Sequence, residues 1–166
     1  QLLLRTGLNY HFAENALATT GYAYIGNHGF ESERTSPEVE EHRIWQQLLT
    51  TNSLGRVKFE HRYRIEQRFI ERDFKTRFRY RLMLFVPLNK PKIETGTLFL
   101  GIYDEIFING AEEFFDRNRL YGGLGYQISK NVNIQTGLLY QRLRNAGKAF
   151  LQFGIVFNTD LRKERS

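Results

Sequence analysis

Residues 56–69 read RVKFEHRYRIEQRF, and every even position is charged: Arg56, Lys58, Glu60, Arg62, Arg64, Glu66 and Arg68. The residues between them are mostly apolar. A period of two marks a β-strand, whose successive side chains point to opposite faces. Alternation of apolar with polar is ordinary for a sheet wetted on one side. The density of charge on one face is not. The next strand repeats the pattern, with Lys75, Arg77, Arg79 and Arg81 opposite Thr76, Phe78, Tyr80, Leu82, Leu84 and Val86. Which of these faces is the inside decides what the chain can fold into.

The period of two runs through nearly the whole chain. Leu2, Leu4, Thr6, Leu8, Tyr10 and Phe12 share one face of a first strand, and Arg5, Gly7, Asn9 and His11 the other. Further strands are predicted over 17–25, 42–49, 56–69, 74–86, 97–108, 119–129, 132–142 and 149–158, with polar or glycine-containing connections. No helical period is visible, and only residues 112–116 could hold a turn of helix. Most strands run to about 10–14 residues, longer than the ~5–6 typical of soluble sheets. A strand that crosses a bilayer needs about 9–11 residues. Strand length and hairpin connections therefore favour an all-β, antiparallel up-and-down barrel that spans a membrane.

Such a barrel turns the pattern inside out. Its apolar faces meet lipid, including Phe59, Tyr63, Phe69, Phe78, Tyr80, Leu82, Leu98, Leu100, Ile102, Leu124, Tyr126, Phe153 and Phe157. Its charged faces fill the lumen. The lumen network then comprises Arg5, Lys58, Glu60, Arg62, Arg64, Glu66, Arg68, Arg77, Arg79, Arg81, Glu105 and Arg119. His61, Gln67 and Asp104 fall on the lipid side, where a charge at the midplane costs ~2–4 kcal/mol. They are expected near a rim or re-aimed by a bulge. In a soluble ligand-binding barrel, the alternative, the same apolar residues would converge on a common core.

The chain has 166 residues, enough for one domain: 1–158 as the barrel and 159–166 as a polar tail. It contains no cysteine, which excludes a disulfide framework and thiolate chemistry. The net charge of +6 fits an anionic partner but says nothing of fold. No apolar run reaches the ~18 residues of a membrane helix. The opening QLLLRTGLNYHF is already strand-like and shows no leader, as expected of a mature or partial chain.

Several blocks carry a resemblance. EHRIWQQ (41–47), FEHRYRIEQRFIERDFKTRFRYRL (59–82), YDEIFIN (103–109), FDRNRLYGGLGY (115–126) and the closing FGIVFN recur in the same order in an uncharacterised family of outer-membrane β-barrel proteins of Gram-negative bacteria, which the chain resembles over nearly its whole length. The resemblance implies location and architecture, with a signal peptide and additional N-terminal strands in family members. It implies no activity. Connections read as alternately compact (near Glu14, Asn52, Lys90, Asn131) and looped (near Ser32, Arg72, Glu112, Ala146). With short turns on the periplasmic side, the ninth strand ends in the periplasm. Bacterial barrels have even strand numbers, so ten or more strands are expected in the complete protein.

The Arg/Glu ladder reads first as a structural ion-pair network, because the planar guanidinium fork pairs bidentately with carboxylates. Its alternative use is a narrow anion-preferring channel, since rings of arginine select anions. Nucleic acid is not an expected partner: arginines and aromatics lie on opposite faces, whereas stacking platforms need them on one. A barrel enzyme would rest on His42 or His11, without a strand-borne nucleophile in reach of either. The four histidines lack metal spacing, and no cofactor is expected. Asp104, Asp116 and Arg117 are expected at the loop rim, as a docking surface for lipopolysaccharide, other outer-membrane proteins or lipoproteins. The function expected is that of a structural or accessory barrel with a largely filled lumen.

Overall fold

The computed structural model describes residues 2–27, 39–110 and 114–157. They form nine strands: β1 Leu2–Ala13, β2 Ala16–Asn27, β3 Val39–Leu54, β4 Val57–Ile70, β5 Asp73–Pro87, β6 Leu98–Asn109, β7 Phe115–Ser129, β8 Val132–Leu143 and β9 Gly147–Phe157. Each pairs antiparallel with the next, in the order β1 to β9 without a crossover. The sheet curls into a half-barrel. Lengths range from 11 residues in β9 to 16 in β3.

The period of two dictates which side chains share the concave face. On β6, Phe99, Gly101, Tyr103, Glu105 and Phe107 are buried, while Leu98, Leu100, Ile102, Asp104 and Ile106 face outward. The same alternation on β4 buries Arg64 and Glu66 and exposes Tyr63, Ile65 and Phe69. Burial is thus inverted relative to a water-soluble sheet. Glu66 is 1% exposed and Glu105 3%, whereas Leu8 is 78%, Phe153 72% and Leu138 63% exposed. The residues that would converge in the core of a soluble barrel lie on the convex side, and the concave face holds a smaller cluster of Met83, Tyr103 and Tyr121 with Phe85 and Leu139.

The charged residues share the concave face with aromatic rings lying on glycines. Gly7, Gly21 and Trp45 are consecutive in one cross-strand row. A Cβ on Gly21 would overlap the Trp45 ring, so only glycine leaves room for the indole to lie flat on β2. In the same way Tyr121 covers Gly123 and Gly137.

Several expectations change. β3 begins at Val39 rather than His42, and β7 at Phe115 rather than Arg119. The loop near Ser32, residue Glu112 and the tail 159–166 lie outside the described residues. Phe115 and Asp116, read as a possible helical turn, are strand. Connection lengths do not alternate as read. Residues 71–72 form a tight turn with Glu71 at φ 52°, and 88–97 is an extended connection on the end read as compact. That connection is folded on itself. Asn89 donates to the Gly96 carbonyl and accepts from the Leu98 amide, and the Thr97 hydroxyl donates to the Lys92 carbonyl. Connections β1–β2, β3–β4, β5–β6 and β7–β8 define one end of the sheet, here the turn end, and the others define the loop end.

Candidate functional site

The central feature is a belt of arginines and carboxylates across β3 to β7. Register puts Arg62 directly opposite Arg81, and Arg64 opposite Arg79. Like charges so placed repel. Carboxylates from both sides separate them. Glu105 Oε1 accepts from Arg62 Nη2 at 2.6 Å and from Arg79 Nη2 at 2.7 Å. Glu66 Oε1 lies 2.7 Å from Arg79 Nη1, and its Oε2 lies 3.3 Å from Arg43 Nη1. Arg79 is therefore a bridge between the carboxylates of β4 and β6.

The belt continues toward the loop end. Glu41 accepts from Arg43 at 2.6 Å and is held by Arg68 through two bonds, Nε to Oε1 at 2.6 Å and Nη2 to Oε2 at 2.8 Å. Asp116 lies 3.4 Å from Arg77 and 2.6 Å from Arg117. Toward the turn end, Arg81 donates to Glu60 at 2.5 Å. Removing charges from water costs several kcal/mol each, and only dense mutual pairing offsets it.

Pairing is incomplete. Arg64, with a side chain 4% exposed, donates to the neutral Gln47 and lies 3.7 Å from Glu66. Arg5 and Arg64 both stack on Trp45, at 4.1 and 4.7 Å from the ring centroid. Arg119 stands across from Glu105 in register yet donates to Gln141 at 2.8 Å, since Arg62 and Arg79 occupy that carboxylate. Within the belt, arginines outnumber carboxylates.

The sheet thus brings together all but one of the residues expected in the lumen network. Lys58 is exposed and stands apart, near the turn end. There a basin of about 1480 Å³ opens on the concave side, with Arg81 and Glu60 on its wall. The expected docking trio does not assemble. Asp116 and Arg117 belong to the belt, because a bulge opposite Phe107 and Ile108 inserts Asp116 into β7. Asp104 sits mid-strand on the convex face, level with Leu82 and Leu120, and accepts from Asn118 at 2.9 Å.

His61 and Gln67 also face outward without a bulge to re-aim them. They bond laterally instead: His61 Nδ1 meets the Tyr80 hydroxyl at 2.9 Å, and Gln67 Nε2 donates to Gln46 at 3.1 Å, while Gln67 Oε1 is left without a partner. His42 faces outward against Tyr22 at 2.5 Å, whereas His11 lines the basin. The two histidines considered for catalysis are therefore on opposite faces.

Four belt members were missing from the sequence reading: Glu41, Arg43, Trp45 and Gln47. Their signal is the parity of 41, 43, 45 and 47 against outward His42, Ile44, Gln46 and Leu48.

No curated protein and no solved structure matches the chain. A family model described as "Protein of unknown function (DUF2490)" matches residues 1–152, nearly the full set of strands, and the chain belongs to that family.

Proposed function

We propose that this chain forms most of the wall of an outer-membrane β-barrel whose lumen is filled by the arginine–carboxylate belt, and that its role is structural or accessory rather than conductive. The observation that carries this reading is the inversion of burial: Glu66 and Arg64 are enclosed while Leu8, Phe153 and Leu138 stand exposed. In water each large apolar side chain so exposed forgoes about 1.5–3 kcal/mol of burial. A hydrocarbon surround removes that cost, and strands can cross it only if every backbone group is paired.

Closure follows from direction. β1 and β9 are the two edges of an antiparallel order, so they run the same way. They cannot pair antiparallel with each other, and a closed antiparallel barrel needs an odd number of further strands. An even total of ten or more satisfies this.

At the loop end the convex face carries Tyr22, Tyr24, His42 and Glu40 in mutual contact, with Tyr24 donating to Glu40 at 3.0 Å. Ring side chains with polar tips suit the level of lipid headgroups. This patch is the proposed contact with lipopolysaccharide or a neighbouring outer-membrane protein.

The test uses the absence of cysteine. Single-cysteine variants at Leu138, Phe153, Gln135 and Gln152 carry spin labels in reconstituted bilayers. Labels at the first two should be relaxed by oxygen and shielded from a water-soluble nickel complex, and labels at the last two the reverse. Equal accessibility at all four, or a protein soluble without detergent, would sink the proposal. One observation favours a second reading, a narrow anion-preferring passage: the excess of arginine in the belt. Planar-bilayer recording separates the two, because a conducting lumen should lose or reverse anion preference in Arg79→Glu with Arg81→Glu.

A further inference from the structure

The basin at the turn end is chemically unlike the belt that it adjoins. Its β4–β5 wall is cationic. Arg81 spends Nη2 on Glu60, and Lys58, two rungs nearer the turn end on the same face, stands exposed with no carboxylate bonded to it among the described residues. Its opposite wall carries neutral amides on three successive strands, with Lys130 at the rim in the β7–β8 turn. Asn133 lies across from Gln127, and Gln135 Nε2 donates to Asn133 Oδ1 at 2.8 Å. Gln152 follows on β9, across from Gly137.

Glycines keep the space between these walls open. Gly101, Gly123 and Gly137 are consecutive in one cross-strand row, between Phe85 on one side and Gln152 on the other. Tyr121 lies flat on that row and stacks on Tyr103 at 5.0 Å, so the floor is a packed surface without projecting charge. The volume, about 1480 Å³, exceeds the ~300–1,000 Å³ of small-molecule pockets.

We propose that this basin binds an acidic saccharide, a polyhydroxylated ring compound bearing a carboxylate or phosphate, with its acid group on Lys58 and Arg81 and its hydroxyls on the amides of Asn133, Gln135 and Gln152. An amide has a carbonyl acceptor and two N–H donors, and beyond the Gln135–Asn133 bond this wall keeps both kinds of group, which matches hydroxyls that both donate and accept. A cation on one wall fixes the acid, and the separation of the two walls rejects an anion with no polyol body. The size of the basin admits more than one ring. The inference rests on the lumen reading only in taking the concave face as solvent-filled at this end.

The test is calorimetric titration of the detergent-solubilised protein with glucuronate, glucose 6-phosphate, glucose and inorganic phosphate. Preparations are first checked for a heat-modifiable gel band, so that a failed fold and a failed site are told apart. The expected result is saturable binding of at least one acidic sugar, tenfold or more tighter than glucose and than phosphate. Binding of glucuronate alone would make the acid a carboxylate; binding of glucose 6-phosphate alone would make it a phosphate. Lys58→Gln, at an exposed position, should weaken the acidic sugar about tenfold and leave glucose unchanged. Gln135→Leu with Gln152→Leu should weaken both sugars and leave phosphate unchanged. No saturable binding by a correctly folded preparation, phosphate binding as tightly as the acidic sugars, or a Lys58→Gln variant indistinguishable from the parent would overturn the proposal.

Discussion

Arg79 grips Glu105 through two nitrogens, Nε at 3.1 Å and Nη2 at 2.7 Å, while its third reaches Glu66. A guanidinium engaged on all three nitrogens by two nearly inaccessible carboxylates is the most strongly committed group in the sheet. Replacing one carboxylate leaves a buried cation under-compensated, a loss worth about 3–5 kcal/mol. Glu105→Gln should therefore lower the temperature at which the folded gel band disappears by more than any other single belt change. Glu60→Gln is the control. Its side chain is 17% exposed and holds only Arg81, so its effect should be smaller, about 1–3 kcal/mol.

The Glu60–Arg81 pair is simple enough to invert. Arg81→Glu alone sets a carboxylate beside Glu60 and should destabilise. Adding Glu60→Arg restores opposite charges on the same two positions, and the double variant should recover at least half of the loss in a urea titration of the same gel band. Additive losses instead would mean that Arg81 matters for its stacking on Tyr103, 5.5 Å from the ring, and not for its ion pair.

Trp45 is the only tryptophan, so intrinsic tryptophan emission reports on one place. In the parent it is 5% exposed and covered by Arg5 and Arg64. Gly21→Ala places a methyl where the indole lies and must push the ring off the wall. Emission should shift to the red and become accessible to iodide, while the β-rich circular dichroism is kept. An unchanged spectrum would mean that the ring does not rest on Gly21.

Asp104 offers the reverse experiment on the convex face. It stands between Ile102 and Ile106 with Asn118 as its hydrogen-bond partner. A carboxylate facing lipid is destabilising, by up to ~2 kcal/mol mid-bilayer. Asp104→Leu should leave folding intact or stabilise it, measured as the urea midpoint in vesicles. A marked loss of stability would mean that this face meets a polar partner instead of acyl chains.

Much of this arrangement was legible in the chain because parity survives wherever strands pair without interruption. The assignment of Arg62, Arg64, Arg77, Arg79 and Arg81 to one face needed only alternation, and the register of β4 with β5 runs unbroken over the whole hairpin. Glu41 escaped because strand ends blur: VEE reads as loop until β2 is seen to pair back to Val39, whereas Arg43 lay inside the strand predicted over 42–49 and needed only its parity. Asp116 escaped for a different reason. Even-numbered residues of β7 face outward, and only the bulge against Phe107 and Ile108 brings Asp116 to Arg77. A bulge adds one residue without a signature in hydrophobic period. The partner choice of Arg119 was equally hidden, since alternation places it across from Glu105 but says nothing of its bond to Gln141.

The rungs Arg62–Arg81 and Arg64–Arg79 also bear on what the β4–β5 hairpin lacks by itself. A hairpin of β4 and β5 alone brings only Glu60 and Glu66 to a surface crowded with guanidinium groups. The third carboxylate, Glu105, arrives with β6, and the fourth, Glu41, with β3. Within the hairpin Glu66 holds Arg79 and Glu60 holds Arg81, but Arg62 finds its carboxylate only on β6. Charge thereby ties the β4–β5 hairpin to the strands on both of its sides, so its full complement of ion pairs exists only in the assembled sheet.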